Sequence, residues 1–506
     1  MPDTHRIDMP MRPELPLYLY SAEATRQLDA HIIAAGTSGL ELMQRAATAI
    51  WRELRRRWVD TRQLTVLCGG GNNAGDGYLV ALLAQRAGWQ VRVLAVTAAQ
   101  QLKGDAHSAW QRAVDDGVDI QPWSGRLPTE GVLLDALLGT GLQGDVRSPF
   151  SEAIAAINGS GLPVLSVDIP SGLNADTGAI EGCAVSADLT VTFITLKPGL
   201  LTAEGPDRVG ELCFAPLAEL AGPQLRPALQ RLTLDDFRGV LPQRPRAAHK
   251  GLFGHLLLVG GNTGMGGAIM LAAETALRCG AGKVSVATRS EHVAPLLARC
   301  PEVMARGVDD PAQLTVLLER ATALVIGPGL GRDEWARQML SLALQCRVPR
   351  ILDADALNRL AEQPTWLGDQ TVITPHPAEA ARLLSCNTAQ VQGNRLLAVQ
   401  QLVERFGGAA VLKGVGSLVA DGEPERLPGL CQYGNPGMAT AGMGDVLSGL
   451  AGALLAQGLE AGDAARYAVL VHALAGDRAA QEEGELGLLA SDLIKHIRYY
   501  LNRRDS

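Results

Sequence analysis

Along this chain, short unbroken apolar runs alternate with stretches in which apolar residues recur every three or four positions. The first pattern reads as parallel strands buried on both faces, the second as helices that cover them. Residues Met1–Tyr20 read as an irregular lead-in. Ser21 is placed to cap a helix through Leu28 and Ile32 to about Ala35. A second helix follows from about Leu40 to Arg56, with Leu42, Met43, Ala46 and Ile50 on one face. The runs Leu64–Cys68, Val91–Val96, Val132–Leu138, Pro163–Val167 and Leu189–Ile194 read as strands, with helices over Tyr78–Arg86 and Asp105–Asp115. A Pro-, Arg- and Gln-rich stretch, about Ala221–Ala248, then interrupts the alternation. Beyond it, strands are expected at His255–Val259, Val284–Ala287, Ala323–Gly327, Ile351–Leu352, Val372–Ile373 and Ala409–Lys413. The last of these is expected to close the core sheet before a long apolar helix around Leu447–Leu459. The expected division is a first α/β domain over residues 1–221, a linker over 222–232 and a second α/β domain over 233–506, with Thr233–Val240 a short helix. No internal repeat relates the halves.

The length of 506 residues requires two domains, each large enough to bury a full core. Scarce aromatics with abundant Ala, Leu and Gly suit α/β layers better than a β-sandwich. The net charge of −8, from 45 basic and 53 acidic residues, comes with no basic run. That argues against a nucleic-acid surface, whereas an anionic small molecule needs only a local site. None of the eight cysteines forms a CxxC pair, so free thiols in a reducing compartment are expected. The start of the chain shows no apolar signal segment, and the longest apolar stretch is short and glycine-interrupted. A cytoplasmic protein without a membrane span follows, and its Ala- and Gly-rich helices permit close packing in a homo-oligomer.

Chemistry-bearing residues gather where the expected strands end. After Leu64–Cys68 comes Gly69–Gly70–Gly71–Asn72–Asn73–Ala74–Gly75–Asp76–Gly77, a loop that adds amide and carboxylate groups to glycine-rich backbone. Asp135 interrupts the next buried run, which costs free energy unless the carboxylate is paired, hydrogen-bonded or cation-bound. The loop Gly139–Thr140–Gly141–Leu142–Gln143–Gly144–Asp145 follows it. Pro163–Val167 ends at Asp168, followed by Ser171. Lys197 lies beyond Leu189–Ile194, able to neutralise a phosphate or simply to be solvated. Open α/β sheets bind ligands at these carboxyl ends of their strands. The motifs GGGNNAGDG, LLDALLGTGLQGD and VDIPSGLNADTG, over about Leu17–Leu220, resemble the NAD(P)H-hydrate epimerase family. The resemblance implies a Rossmann-like fold. It implies K⁺ ligation by Asn73, Asp135 and Ser171, and contacts to the hydrated nucleotide from Asn72, Asn73, Ala74, Gly75 and Asp76, from Gly139, Thr140, Gly141, Leu142, Gln143, Gly144 and Asp145, and from Asp168. Asp168 is the expected acid/base, since inversion at the hydrate carbon requires proton movement.

The second half repeats the placement with other residues. Its motifs GGNTGMGGA, GPGLG, LDADAL, TPHPAE, LKGVGS and NPGMATAGMGDVLSG lie in series. Glycines in the last let backbone approach a ligand, and Asp445 falls in the first turn of a helix, placed to cap it or to accept a proton. Asp353 either helps hold magnesium through water or plays no such part. Glu379 is a first-turn helix acid or a magnesium partner. These motifs resemble the ADP-dependent NAD(P)H-hydrate dehydratases of the ribokinase-like superfamily across about Thr233–Asn502. The resemblance places the hydrated nucleotide (NADHX or NADPHX) on Ala268, Gly329, His376 and Asp445. It places ADP on Lys413, Gly414, Val415, Gly416, Ser417 and Gly444, with Mg²⁺ as cofactor. Met443 departs from the family, which usually has Ala there. The rival readings are an ordinary small-molecule kinase, which would release a stable phosphorylated product, and a non-catalytic front domain.

Overall fold

The computed structural model describes residues 15–219, 225–241 and 243–502. Met1–Glu14 of the expected lead-in lie outside the described residues. The chain divides between Gln230 and Arg231 into two compact units. The expected linker is therefore not wholly irregular: Leu229 and Gln230 pair antiparallel with Leu19 and Tyr18.

The first unit is built on a parallel sheet. Its strands, from edge to edge, are Asp119–Pro122, Gln90–Ala95, Gln63–Cys68, Val132–Ala136, Val164–Val167, Leu189–Phe193 and Glu211–Ala215. The chain leaves Gln63–Cys68 toward one edge and returns to build the other half from Val132–Ala136. The gap between the ends of these two strands is the switch point at which such sheets hold ligands. Alternate strand residues feed separate cores. Val66, Leu134 and Leu165 enter one, packed under helices Gly39–Arg57 and Asn72–Arg86. Leu67, Leu133 and Leu137 enter the other with Ile154 and Ile157 of the helix Phe150–Gly159. Three layers follow from this alternation. The Ser21 cap is present, with Ser21 Oγ accepting from the Ala24 amide at 3.1 Å. One expectation is corrected: Asn72–Gly77 are not loop but the opening turns of the helix Asn72–Arg86. This helix approaches the sheet so closely that a Cβ at Gly77 would stand 2.7 Å from Ala136 Cβ. The strand Asp119–Pro122 was not anticipated, because this half-exposed edge has no apolar run.

The second unit orders its strands Gly429–Cys431, Ser417–Asp421, Ala409–Leu412, Thr371–Ile373, Arg350–Leu352, Ala323–Ile326, His255–Val259, Lys283–Thr288 and Met304–Gly307. The run from Ala409–Leu412 to Met304–Gly307 is parallel. Ser417–Asp421 and Gly429–Cys431 extend it antiparallel, which corrects the expectation that Ala409–Lys413 closes the sheet. Their apolar runs are too short, between glycines and prolines, to announce strands. The helix Met443–Ala456 lies against the sheet and the helix Gly266–Arg278. A Cβ at Gly449 would meet the Ala272 carbonyl at 2.2 Å and one at Gly452 would meet Val325 at 2.3 Å, so both close approaches require glycine.

All eight cysteines are free thiols. Cys68 and Cys213 are buried in the first unit, Cys279, Cys300 and Cys431 in the second. Burial pushes the thiols of Cys68, Cys279 and Cys431 well up. Among the described residues no helix is long and apolar enough to cross a membrane.

Candidate functional site

At the switch point of the first unit lies a cavity of about 770 Å³. Asn72, Asn73, Asp76, Gly139, Thr140, Gly141, Leu142, Gln143 and Asp168 line it, as do Asp29, Asp105 and Lys197. Gly139–Gln143 and Arg26 also border a second, more polar cavity of about 480 Å³ with Asn174 and Asp176. Other expected contacts fall elsewhere. Ala74 and Gly75 are buried in the helix core, while Gly144 and Asp145 stand exposed beyond the cavity lining.

Beneath the cavity floor, parallel pairing sets Asp135 beside Ser166. Its carboxylate accepts from Ser166 Oγ at 2.8 Å, Ser171 Oγ at 2.6 Å, the Ser171 amide at 2.9 Å and the Leu137 amide at 3.3 Å. Burial raises its pKa, and these donors oppose the rise. Asn73 Nδ2 donates to the carbonyls of Val167 at 2.8 Å and Leu138 at 3.3 Å. Ser171 Oγ stands 3.1 Å from the same Leu138 carbonyl. One carboxylate, one hydroxyl, one amide and two main-chain carbonyls thus converge. The carboxylate, hydroxyl and carbonyl oxygens here are hard donors of the kind that suit a cation of low charge, while Asn73 turns its amide nitrogen toward the carbonyls.

Asp168 sits just past Val164–Val167 with φ of 66°. Its Oδ1 accepts from the Phe193 amide and Thr192 Oγ1, each at 3.0 Å, and from Lys197 Nζ at 2.5 Å. Lys197 is fully buried and also donates to Thr192 Oγ1 and the Phe193 carbonyl. Neither alternative for Lys197, phosphate contact or solvation, describes it: its ammonium holds the Asp168 carboxylate. Three donors on one oxygen leave the other for a ligand in the cavity.

In the second unit the expected residues lie beyond five strand ends. The turns after His255–Val259 and Ala323–Ile326 are bonded together, the Asn262 amide to the Gly329 carbonyl at 2.6 Å and the Gly261 amide to that of Pro328 at 3.0 Å. This brings Ala268 against Gly329, where a Cβ would stand 3.3 Å away. Asp353 ends the strand Arg350–Leu352, almost fully buried, and holds Lys413 Nζ and Ser448 Oγ, each at 2.8 Å. Burial would raise Asp353, but the Lys413 ammonium and the hydroxyls of Ser448 and Thr374 outweigh it and hold its carboxyl low. Lys413 also lies 3.9 Å from Glu379, which burial raises. His376 caps the helix Pro377–Leu384: its ring accepts from the Ala378 amide, and Glu379 returns a bond to the His376 amide at 2.8 Å. A Cβ at Gly444 would stand 3.4 Å from both Asp353 Oδ2 and Lys413 Nζ.

Asp445 stands above this pair in the first turn of Met443–Ala456. The cap is Gly442, at φ of 91°, so the capping role for Asp445 is excluded. Its carboxyl makes no hydrogen bond to the protein among the described residues. Burial and the neighbouring Asp353 raise its pKa to about 7 against the opposing pull of Lys413. Such a group can take a proton near neutrality. The Lys413–Ser417 loop is exposed at Val415 and propped from below by the buried Arg395, whose guanidinium donates to the carbonyls of Leu412 and Lys413. Among the described residues no group of three or more His, Cys, Asp or Glu is disposed to hold a metal. Asp29, Ser166, Arg395 and Ser448 escaped the sequence reading. Of these only Ser448, a polar residue one turn past Asp445 in an apolar run, left a local signal.

A family model of NAD(P)H-hydrate dehydratases matches residues 256–499, and one of YjeF-related protein N-termini matches residues 39–199. The bifunctional NAD(P)H-hydrate repair enzyme Nnr of Coxiella burnetii is 46% identical over 96% of this chain and 99% of its own. A ribokinase-like superfamily protein of Enterococcus faecalis superposes with a TM-score of 0.51 at 30% identity, over 56% of this chain and 99% of its own. The Bacillus subtilis ADP/ATP-dependent NAD(P)H-hydrate dehydratase, co-crystallised with ATP and Mg²⁺, gives a TM-score of 0.50 at 29% identity, over 54% of this chain and 98% of its own. Both family models lie in series within this one chain, which matches a bifunctional repair enzyme over nearly its full length, and this chain belongs to the bifunctional NAD(P)H-hydrate repair enzymes.

Proposed function

We propose that the two units perform consecutive steps of one repair. The first interconverts the R and S epimers of hydrated NADH and NADPH, and the second dehydrates the S epimer at the expense of ADP, yielding NADH or NADPH, AMP and phosphate. The observation that carries the second step is Asp445: a carboxylate with no hydrogen bond to the protein among the described residues, with pKa raised to about 7, at a helix N-terminus. Asp445 takes the proton of the C6 hydroxyl, and that oxygen attacks the β-phosphorus of ADP. Amides of the helix start favour the charge that builds there. The ring nitrogen then expels phosphate, and proton loss restores the dihydropyridine. ADP lies along Lys413–Ser417 and Gly444, and the hydrated ring lies among Ala268, Gly329 and His376. Mg²⁺ would neutralise phosphate charge, carried mainly by the nucleotide, with Asp353 reaching it through water.

In the first unit Asp168 is the acid/base, held in place by Lys197. Asn73, Asp135 and Ser171, with the carbonyls of Leu138 and Val167, would hold K⁺ and so tie together the loops that form the cavity floor. The protein works as a homo-oligomer in the cytoplasm. The deciding experiment incubates the protein with mixed hydrates and ADP and separates the products by chromatography. Recovery of NADPH with AMP and phosphate, and consumption of both epimers, is expected. A stable phosphorylated product would instead support a small-molecule kinase.

A further inference from the structure

The cavity of the first unit is acidic, although its proposed ligand is an anion. Asp29 of the helix Ala22–Ala34, Asp76 of Asn72–Arg86, Asp105 of Gly104–Asp115 and Asp168 all line it. The cations beside them are Lys197, already bound to Asp168, and Arg26, which pairs with Glu23 at 2.7 Å. Asp76 stands apart. Its residue is only 8% exposed, it faces the cavity, and among the described residues its carboxyl has no hydrogen bond or ion pair with the protein. A buried carboxylate without partners is costly as an anion and favours holding its proton. Burial and the charges of Asp168 and Asp29 push Asp76 well up, and Asp29 is itself raised by burial and by Asp105 and Asp168.

We propose that Asp76 is a second catalytic group of the epimerase, a carboxylic acid that works opposite in role to the Asp168 carboxylate, with Asp29 as the residue that keeps it protonated. This rests on the epimerase reading of the cavity. Asp76 gives its proton to the C6 hydroxyl of the hydrate. The C6–O bond breaks, water leaves, and the ring-nitrogen lone pair forms a C6=N iminium. A water molecule adds to the other face of C6 and loses a proton to Asp168. Asp168 passes that proton to solvent, and Asp76 regains one. The substrate is inverted, one water has been exchanged for another, and no oxidant or reductant is needed. Two carboxyl groups in different protonation states serve in this way wherever one must donate while the other accepts.

The test uses the full-length protein without ADP, so that only epimerisation is read. R-to-S conversion is followed by chromatography from pH 5.5 to 9.5 in ordinary and in ¹⁸O-enriched water. Wild type should lose rate on the alkaline side, and each inversion should bring in one labelled oxygen above the spontaneous background. Asp76→Asn should slow conversion roughly 100-fold and flatten the alkaline limb. Asp29→Asn should move that limb to lower pH, because a like charge beside Asp76 has gone. A merely structural Asp76 would leave the limb in place in Asp76→Asn. That result, an unshifted limb in Asp29→Asn, or retention of the original oxygen overturns the proposal. Absence of any wild-type epimerisation would overturn the underlying reading with it.

Discussion

The two units handle the same problem, a carboxylate at the mouth of a parallel sheet, in opposite ways. Each has a lysine near a strand end, fully buried in the first and half-buried in the second, but the lysine is spent differently. In the first, Lys197 grips Asp168 itself, with Thr192 and the Phe193 amide beside it. In the second, Lys413 grips Asp353, and Asp445 has no hydrogen bond to the protein among the described residues and a pKa raised to about 7. A carboxylate clamped by donors on one oxygen is held in one orientation. One that is desolvated beside another anion is poised to take a proton and release it. The difference suits the proposed chemistry, an inversion that needs a fixed group in one half and a hydroxyl to be deprotonated for attack on phosphorus in the other.

The largest effect that can break this contrast is loss of each carboxylate in turn. Asp445→Asn should lower ADP-dependent recovery of NADPH absorbance at least about 1000-fold and leave epimerisation intact, whereas Asp168→Asn should do the reverse, slowing use of the R epimer to its spontaneous rate. Near-wild-type activity in either variant removes that residue from its role. The lysines sharpen the contrast. Lys197→Met strands a nearly buried Asp168 and should destabilise the first unit by about 3 kcal/mol in urea unfolding, with epimerisation lost. Lys413→Met should instead move the acid limb of the dehydratase pH profile upward from about 7, since Lys413 is what holds Asp445 down. An unmoved limb would mean that another group titrates there.

The smallest effect concerns His472, buried in the helix Ala461–Glu483 with its Nε2 unpaired. Burial pushes it down to about 4 despite a hydrogen bond at Met443. The unfolded chain takes a proton near pH 6.5 that the folded unit refuses. This contribution to stability is complete above that pH and is lost as pH falls toward 4. Asp445, raised in the fold, works in the opposite sense, so a variant isolates the histidine. From pH 7 to 5, His472→Phe should lose about 2 kcal/mol less unfolding free energy than wild type. Equal losses would show that His472 is not held neutral.

The sequence carried the architecture because α/β layers write themselves locally. Leu64–Cys68 and His255–Val259 are unbroken apolar runs, and Ser21 announces a helix start. Edge strands such as Asp119–Pro122 and Met304–Gly307 have no such run and went unseen. Site residues were legible where a polar residue breaks or ends an apolar strand run, as Asp135, Asp168 and Asp353 do, or opens a helix behind a glycine turn, as Asp445 does. Partnerships were not. Lys197 and Asp168 are separated by a whole strand and its crossover, and Asp29 arrives from a helix whose local pattern shows only a solvent-facing acid. Contacts between side chains distant in sequence depend on register and crossover, which no local pattern encodes.

The buried thiols give each half its own internal alarm. While a unit stays closed, Cys68 or Cys279 is both shielded and protonated, and an alkylating reagent cannot reach it. Cys68 and Cys279 can be labelled only once the chain opens, unlike the partly exposed Cys183, Cys346 and Cys386, so mapping which of the two is modified first under mild denaturant would reveal which half gives way sooner, without any engineered probe.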